Sequence, residues 1–169
     1  YAEKPPLYYY VLYASGKIQP WLKEEISFRV PSALFALALA CALFATVAWL
    51  SDRKRALYAS LIFVSSPLVY WQARYVQVDM VFSAFLCLSL FSFLWFFAKE
   101  RTGCLYLCAV FLGGAFLTKG PLALVLTLPP MLAFSFLAKR KTPFPLLHAG
   151  AASLLFAAIV MPWYVAVYL

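Results

Sequence analysis

Long apolar runs, separated by short polar segments, occupy the chain from about residue 30 to its end. A membrane-spanning helix needs roughly 20 consecutive apolar residues, whereas a barrel strand would alternate polar and apolar positions. The pattern therefore predicts an all-α integral membrane protein with about six transmembrane helices, at about 30–50, 56–71, 80–98, 104–117, 122–138 and 146–169. The second and fourth runs are short, so we expect their helices to extend into the polar residues that follow.

The first 30 residues are different, because charged residues, prolines and tyrosines are mixed there. Pro5 and Pro6 lack an amide hydrogen and favour an extended chain before them, which argues against a span. Trp21 and the tyrosine cluster suit the level of the lipid headgroups. We therefore divide the chain into an outward-facing juxtamembrane segment, 1–30, with short interfacial helices, and a partial multi-helix transmembrane domain, 31–169.

Basic residues are distributed unequally between the predicted loops. The first, third and fifth loops carry Arg53, Lys54, Arg55, Lys99, Arg101, Lys139, Arg140 and Lys141. The second and fourth loops carry only Arg74 and Lys119. By the positive-inside rule the first group of loops is cytoplasmic, so Arg74, Lys119 and residues 1–30 face outward.

Composition supports the membrane assignment and excludes one class of partner. The chain is 66% hydrophobic and 12% charged, and a soluble domain has about twice that charged fraction. A net charge of +8 in a soluble protein would suggest nucleic acid. Here the basic residues stand at the ends of spans as orientation signals, so we expect no nucleic-acid partner.

Charged residues on the predicted outer side are the candidate site residues: Glu3, Lys4, Arg74, Asp79 and Lys119. An ionisable group at the membrane edge is costly to keep and is by default a functional-site candidate. Lysine and arginine neutralise phosphate, while a carboxylate binds hydroxyl groups or a metal, or acts as a base. A plainer explanation stays open, in which Arg74 pairs with Asp79 and Lys119 extends to the headgroups.

The TKGP sequence around Lys119 is not a phosphate-binding P-loop, because the GxxxxGK[ST] spacing is missing and no strand precedes it. It places a lysine at a helix end, beside a Gly-Pro break that exposes backbone groups. We interpret this as an indication of contact with a phosphate or a headgroup.

Five segments, in this order, carry a family resemblance: YAEKPPLYYY, RVPSALF, ARYVQVDMVFSAF, GGAFLTKGPLAL and MPWYVAV. The chain resembles, over its whole length, the polyprenyl-phosphate-sugar glycosyltransferases of the GT-C membrane fold. These include the lipid A aminoarabinose transferases and relatives of the protein O-mannosyltransferases. EKPP and the aspartate of VQVDM are fairly specific together, TKGP adds weight, and PWY alone is weak.

The resemblance implies roles for four of the candidates. Lys4 resembles a ligand of the donor phosphate, and Lys119 a second basic contact to it. Asp79 resembles an aspartate near the polar end of the substrate cavity, whereas Arg74 is a candidate from its position alone. The cofactor is left open, with a divalent metal as one option and Glu3, which otherwise shapes the site, as its only candidate ligand.

The implied reaction moves a sugar from a polyprenyl-phosphate donor to a lipid, glycan or protein acceptor, at the outer, periplasmic face of the plasma (inner) membrane. The family's usual catalytic aspartate lies in an outward loop ahead of EKPP. We therefore expect it upstream of Tyr1, and no residue of this chain receives that role. The chain is then expected to be a middle portion of the catalytic membrane domain that is inactive alone.

The main alternative is a transporter or flippase for an anionic or lipid-linked substrate, with Asp79 as a proton or ion site. A transporter would place its charged residues near the membrane midplane and often shows a repeat, whereas here they gather at one face and no repeat is visible. A non-catalytic membrane subunit is a further alternative. A sugar-transfer assay separates both from the enzyme.

Overall fold

The computed structural model describes residues 5–18, 21, 23–138 and 145–168, and within these ranges every regular element is an α-helix. The helices are α1 (Leu7–Ile18), α2 (Glu24–Leu50), α3 (Arg53–Ser65), α4 (Pro67–Arg74), α5 (Val78–Lys99), α6 (Gly103–Lys119), α7 (Leu122–Leu137) and α8 (Leu146–Tyr168). The all-α fold predicted from the apolar runs is confirmed.

Among the described residues, three helices are long and apolar enough to cross a membrane: Glu25–Leu50 of α2, all of α5, and Leu146–Val167 of α8. The apolar helices α6 and α7 are shorter, at 17 and 16 residues. At a rise of about 1.5 Å per residue they come close to the roughly 30 Å of the hydrocarbon layer. The chain is an integral membrane protein.

The predicted second span is the one that differs most from expectation, because it consists of two helices, α3 and α4, separated at Ser66. Ser66 has an extended backbone (φ −61°, ψ 127°), as expected for a residue before proline, and Pro67 then begins the next helix. The Ser66 amide donates to the Phe63 carbonyl at 3.2 Å, which satisfies one of the backbone groups freed by the break.

The chain divides into two compact units, each described by itself. The N-terminal unit is Leu7–Ala84, in which α2 packs against α1, α3 and α4. The hydroxyl of Ser15 on α1 donates to the Ser27 carbonyl on α2 at 2.6 Å, and both residues are buried. This bond fixes α1 on α2.

The C-terminal unit contains Phe85–Leu169 and the start of the chain, where Pro5 and Pro6 are described. Helix α6 packs against α7 and α8, and the Ser89 hydroxyl on α5 donates to the Cys108 carbonyl on α6 at 3.2 Å. The apolar core includes Phe93, Phe96 and Met131. The boundary between a juxtamembrane segment, 1–30, and a membrane domain, 31–169, stays a prediction.

Two adjacent glycines bring the neighbours of α6 close to its backbone. A Cβ on Gly113 would lie 2.9 Å from the Ile159 side chain of α8, and a Cβ on Gly114 would lie 2.8 Å from the Phe85 ring of α5. Small residues allow this kind of close approach in membrane proteins, where packing stabilises helix contacts.

Candidate functional site

Helix α6 ends at Lys119, in a turn that requires glycine at the next position. Gly120 has φ 67° and ψ −144°, a backbone conformation that side chains with a Cβ rarely adopt. Its amide donates to the Phe116 carbonyl at 2.7 Å, which closes the last turn of the helix. The Gly-Pro break expected after the lysine is therefore a sharp turn whose backbone conformation favours glycine.

Two distant parts of the chain meet at this turn. A Cβ placed on Gly120 would lie 3.6 Å from the Tyr164 hydroxyl and 3.9 Å from Cγ of Pro5. The Tyr164 ring also packs edge-on against Phe116, with centroids 5.7 Å apart. We call Pro5, Phe116, Lys119, Gly120 and Tyr164 the Lys119 cluster. It joins the TKGP segment to the proline after EK and to the tyrosine of MPWY, so three of the five quoted segments converge.

Lys119 is partly buried and directly precedes Gly120 in the chain. A cation in the last turn of a helix is stabilised by the helix dipole, which gives the lysine a structural role whatever else it does. Pro5 is the residue that follows Glu3 and Lys4 in the sequence, and both of these candidates lie outside the described residues.

The expected catalytic aspartate falls outside the structure as well. It is placed upstream of Tyr1, and Tyr1 itself lies outside the described residues. Neither the position of that aspartate nor the inactivity of the chain alone is tested by the structure, so both stay predictions.

Arg74 and Asp79 belong to the N-terminal unit. Arg74, in the last turn of α4, is exposed, and its guanidinium carbon lies 4.4 Å from the centre of the Tyr70 ring. This cation–π contact holds the side chain in place. With Arg29 it also borders a cavity of about 290 Å³ that is otherwise lined by apolar residues of α2 and by Ala73. The plainer role of Arg74 is therefore structural.

Asp79 lies in the first turn of α5, where the helix dipole favours a negative charge. It is partly buried, and its charge acts on Tyr8 of α1. Burial raises the pKa of the Tyr8 phenol above its ordinary value, and the nearby Tyr9 and Asp79 raise it further. The phenol therefore stays protonated at neutral pH.

Tyr8 is the residue that the sequence analysis missed. It is 9% exposed, while Tyr9 and Tyr10 are 55% and 61% exposed. The available signal was helical spacing: Tyr8 and Ser15 are seven residues apart, hence on one face of a helix, and both are buried. The sequence analysis placed all the tyrosines at the level of the headgroups and so did not distinguish the buried Tyr8 from its exposed neighbours.

The described residues contain no group of three or more histidine, cysteine, aspartate or glutamate side chains that could hold a metal ion. Glu3, the candidate metal ligand, lies outside them. A metal-dependent site therefore stays a prediction.

Comparison with known proteins identifies the family. Residues 3–165 match the model of the dolichyl-phosphate-mannose-protein mannosyltransferase family. The chain belongs to this family, and the family resemblance seen in its motifs is confirmed. It is thereby related to membrane glycosyltransferases, and no comparison supports the transporter alternative.

The chain is also similar to curated enzymes called undecaprenyl phosphate-alpha-4-amino-4-deoxy-L-arabinose arabinosyl transferase. The identity is 30% with the protein of Pectobacterium carotovorum subsp. carotovorum (strain PC1) and 30% with a second such protein of Proteus mirabilis (strain HI4320). Each match covers 99% of this chain but only 31% of the relative, so the chain spans about a third of their length. No solved structure matches it significantly.

Proposed function

We propose that this chain is part of a membrane glycosyltransferase that moves a sugar from a polyprenyl-phosphate donor to a lipid, glycan or protein acceptor, and that the Lys119 cluster binds the donor phosphate. The observation that carries the proposal is the meeting of Pro5, Gly120 and Tyr164 beside Lys119. These residues come from three segments that are far apart in the sequence.

The cluster has the chemistry that a phosphate leaving group needs. The Lys119 ammonium group is a compact positive charge, and Gly120 allows the sharp turn that directly follows it. During transfer, negative charge develops on the oxygen that leaves the sugar, and a cation held in place stabilises that charge. Lys4, bonded to Pro5, is proposed as the second cation.

The remaining roles are proposals from the resemblance. Asp79 contacts a substrate near the polar end of the cavity, Arg74 contacts an anionic group, and Glu3 shapes the site or binds a divalent metal. We place the catalytic aspartate upstream of Tyr1, outside these 169 residues, so the chain alone is inactive. The coverage of only 31% of the relatives leaves ample room for it elsewhere in a longer protein.

We place the reaction at the outward, periplasmic face of the plasma (inner) membrane. The excess of lysine and arginine in the loops at the opposite ends of the predicted spans supports this orientation. The names of the relatives point to an undecaprenyl-phosphate-linked aminoarabinose as the first donor to test and, with the resemblance to lipid A transferases, to a lipid acceptor.

The test is sugar transfer by the complete protein that contains this chain, reconstituted with undecaprenyl phosphate-α-4-amino-4-deoxy-L-arabinose and lipid A. Lys119→Ala should lower kcat by about 100-fold or more, because a fixed group that stabilises developing charge is lost. Lys4→Ala should act in the same direction. Membrane insertion and expression should be retained, since the loss of a cation at a helix end costs only about 1 kcal/mol or less.

Lys99→Ala is the matched control, because Lys99 also stands in the last turn of a membrane helix, with its ammonium 4.9 Å from the centre of the Trp95 ring. It should transfer sugar at the parental rate. Parental rates in Lys119→Ala and Lys4→Ala would refute the phosphate site. Absence of transfer in the parental protein, with any of several polyprenyl-linked sugars, would refute the enzymatic function.

A further inference from the structure

The cavity of about 290 Å³ in the N-terminal unit combines two cations with apolar walls. Arg29 of α2 and Arg74 of α4 line it, and these two helices pack against each other. The other lining residues are apolar: Ile26, Val30, Ala33 and Ala73. Both arginines are exposed, so a ligand can reach the cavity from outside the protein.

The size of the cavity brings both arginines within reach of one ligand. Its volume is at the lower end of the range for small-molecule sites, roughly 300–1,000 Å³. An arginine beside an apolar surface lays its aliphatic stem along that surface and keeps its guanidinium group at the polar edge. A ligand that fills this one small space therefore meets two guanidinium groups at its rim.

Neither arginine is neutralised by the part of the chain that the structure describes. No described carboxylate lies within salt-bridge distance of Arg29 or Arg74, and neither guanidinium donates a hydrogen bond to a described residue. Arg74 is held instead by the Tyr70 ring, whose centre is 4.4 Å from the guanidinium carbon. The N–H donors of both groups are thus available to an anion, and phosphate oxygens match their geometry.

The apolar walls favour a phosphate that belongs to a lipid. A free phosphate ion gains nothing from these walls, whereas a lipid can place its headgroup at the arginines and part of an acyl chain in the cavity. The same face of α2 continues at helical spacing through Ile26, Val30, Ala33 and Leu37, and Leu37 is 61% exposed. An acyl chain therefore has an apolar path from the arginines along α2.

The arginines also stand at the depth where lipid phosphates are found. Arg29 is close to the start of the apolar helix Glu25–Leu50, and Arg74 is in the last turn of α4. The sequence analysis predicts the same side of the membrane for both residues. Two cations at one headgroup position attract a lipid with a net negative charge more strongly than a zwitterionic one.

We infer that Arg29 and Arg74 bind the phosphate of an anionic glycerophospholipid whose acyl chain passes over Ala33 and Ala73. The small alanine side chains leave the space that this chain occupies. The inference goes beyond the proposed function, because it names a membrane lipid as the anionic group at Arg74 and does not require sugar transfer.

The charged part of the site can be tested with phosphatidylglycerol that carries a photoactivatable acyl chain, titrated into the complete protein in detergent. Cross-links should fall within residues 26–37. Arg29→Gln and Arg74→Gln should each raise the half-saturating concentration about tenfold, because one charge-assisted contact is lost.

Arg53→Gln is the matched control for charge. Arg53 is an exposed arginine of the same unit that follows the other end of α2, so its loss should leave the half-saturating concentration unchanged. Parental cross-linking in both cavity variants, or an equal loss in Arg53→Gln, would overturn the inference.

The apolar part of the site needs a variant that leaves both arginines in place. Ala33→Leu fills the cavity and should reduce cross-linking about as much as loss of one arginine. Ala38→Leu, at an exposed alanine on another face of α2, should not reduce it. Both positions are exposed, so the melting temperature without lipid should stay close to that of the parental protein. Full cross-linking in Ala33→Leu would show that no acyl chain enters the cavity and would contradict the inference.

Competition with unlabelled compounds identifies the ligand. Phosphatidylglycerol should displace the probe at about one-tenth of the concentration that phosphatidylcholine with the same acyl chains requires, and inorganic phosphate should not displace it. Equal displacement by phosphatidylcholine, or displacement by inorganic phosphate, overturns the inference. Stronger displacement by undecaprenyl phosphate also overturns it, because the cavity would then belong to the sugar donor. A protein that binds phosphatidylglycerol in this cavity but transfers no sugar contradicts the proposed function alone.

Discussion

The two halves of α6 are built in opposite ways. Around its Gly103 end the helix packs among large side chains such as Phe93 and Met131, and these border an apolar cavity of about 470 Å³ between α6, α7 and α8. Around its Lys119 end three close contacts are made at glycines, where Ile159, Phe85 and the Tyr164 hydroxyl would each lie near an added Cβ.

The two halves should therefore respond differently to substitution: the Gly103 half can repack, whereas the Lys119 half holds its neighbours at fixed positions. Large apolar side chains beside a cavity can adjust when one of them changes volume. Backbone atoms in contact with a neighbouring side chain cannot, because any added atom must displace that neighbour. We therefore expect the half with the Lys119 cluster to be the sensitive one, and substitutions along α6 and its neighbours can test this.

The largest expected effect is at Gly114. A Cβ there would lie 2.8 Å from the Phe85 ring, so Gly114→Leu should destabilise the protein by about 3 kcal/mol, the upper end of the usual cost of overpacking. Thermal unfolding in detergent measures this. Gly150→Leu on α8 is the control, because nothing lies within 4 Å of a Cβ at that position, and it should be neutral or slightly stabilising. Equal melting temperatures for the two variants would contradict the comparison.

Next is Gly120→Ala, which places a Cβ on a residue with φ 67° and ψ −144°. The added methyl group would make only ordinary contacts with Tyr164 and Pro5, so the cost is backbone strain of about 1–3 kcal/mol. Because relief of this strain would move Lys119, transfer activity should fall more than stability does. Parental activity at a reduced melting temperature would show that the turn is structural only.

A smaller effect is expected at the opposite end. The Tyr106 hydroxyl and Nδ1 of His148 are hydrogen-bonded at 2.9 Å between α6 and α8. Tyr106→Phe should therefore cost about 1 kcal/mol, the usual net value of one hydrogen bond. Transfer activity per folded protein should not change. A loss of activity as large as that of Gly120→Ala would remove the functional distinction between the two halves.

The smallest effect is expected at the cavity wall. Ser153 is exposed, and its hydroxyl donates to the Ala149 carbonyl of its own helix at 3.0 Å. Ser153→Ala should change the unfolding free energy by less than about 0.5 kcal/mol, as for other exposed positions. A larger shift in melting temperature would mean that this wall contributes more to stability than its open packing suggests.

The helices could be predicted from the sequence because long apolar runs with polar ends allow few other structures in lipid. The predicted run at 80–98 and the observed Val78–Lys99 differ only at their ends. The lysine at a helix end beside a Gly-Pro break could be predicted as well. The contacts of Gly120 with Pro5 and Tyr164 could not, because they join residues that are far apart and whose local sequences do not indicate their partners.

Tyr8 shows the same limit within a single segment. Three tyrosines follow one another at positions 8–10, and their chemistry is identical. Only the packing of α1 on α2 buries Tyr8 and leaves Tyr9 and Tyr10 exposed. Helical spacing shows which residues share a face of α1, but which of those faces is buried depends on tertiary structure.

The break at Ser66 has a consequence for how the protein enters the membrane. Neither α3 nor α4 is long and apolar enough to partition into lipid on its own, unlike α2, which contacts both of them. During synthesis α2 emerges first and offers a surface on which the two short helices can pack. We therefore expect residues 53–74 to insert as part of a hairpin with α2. Without α2, this segment should fail to enter the bilayer.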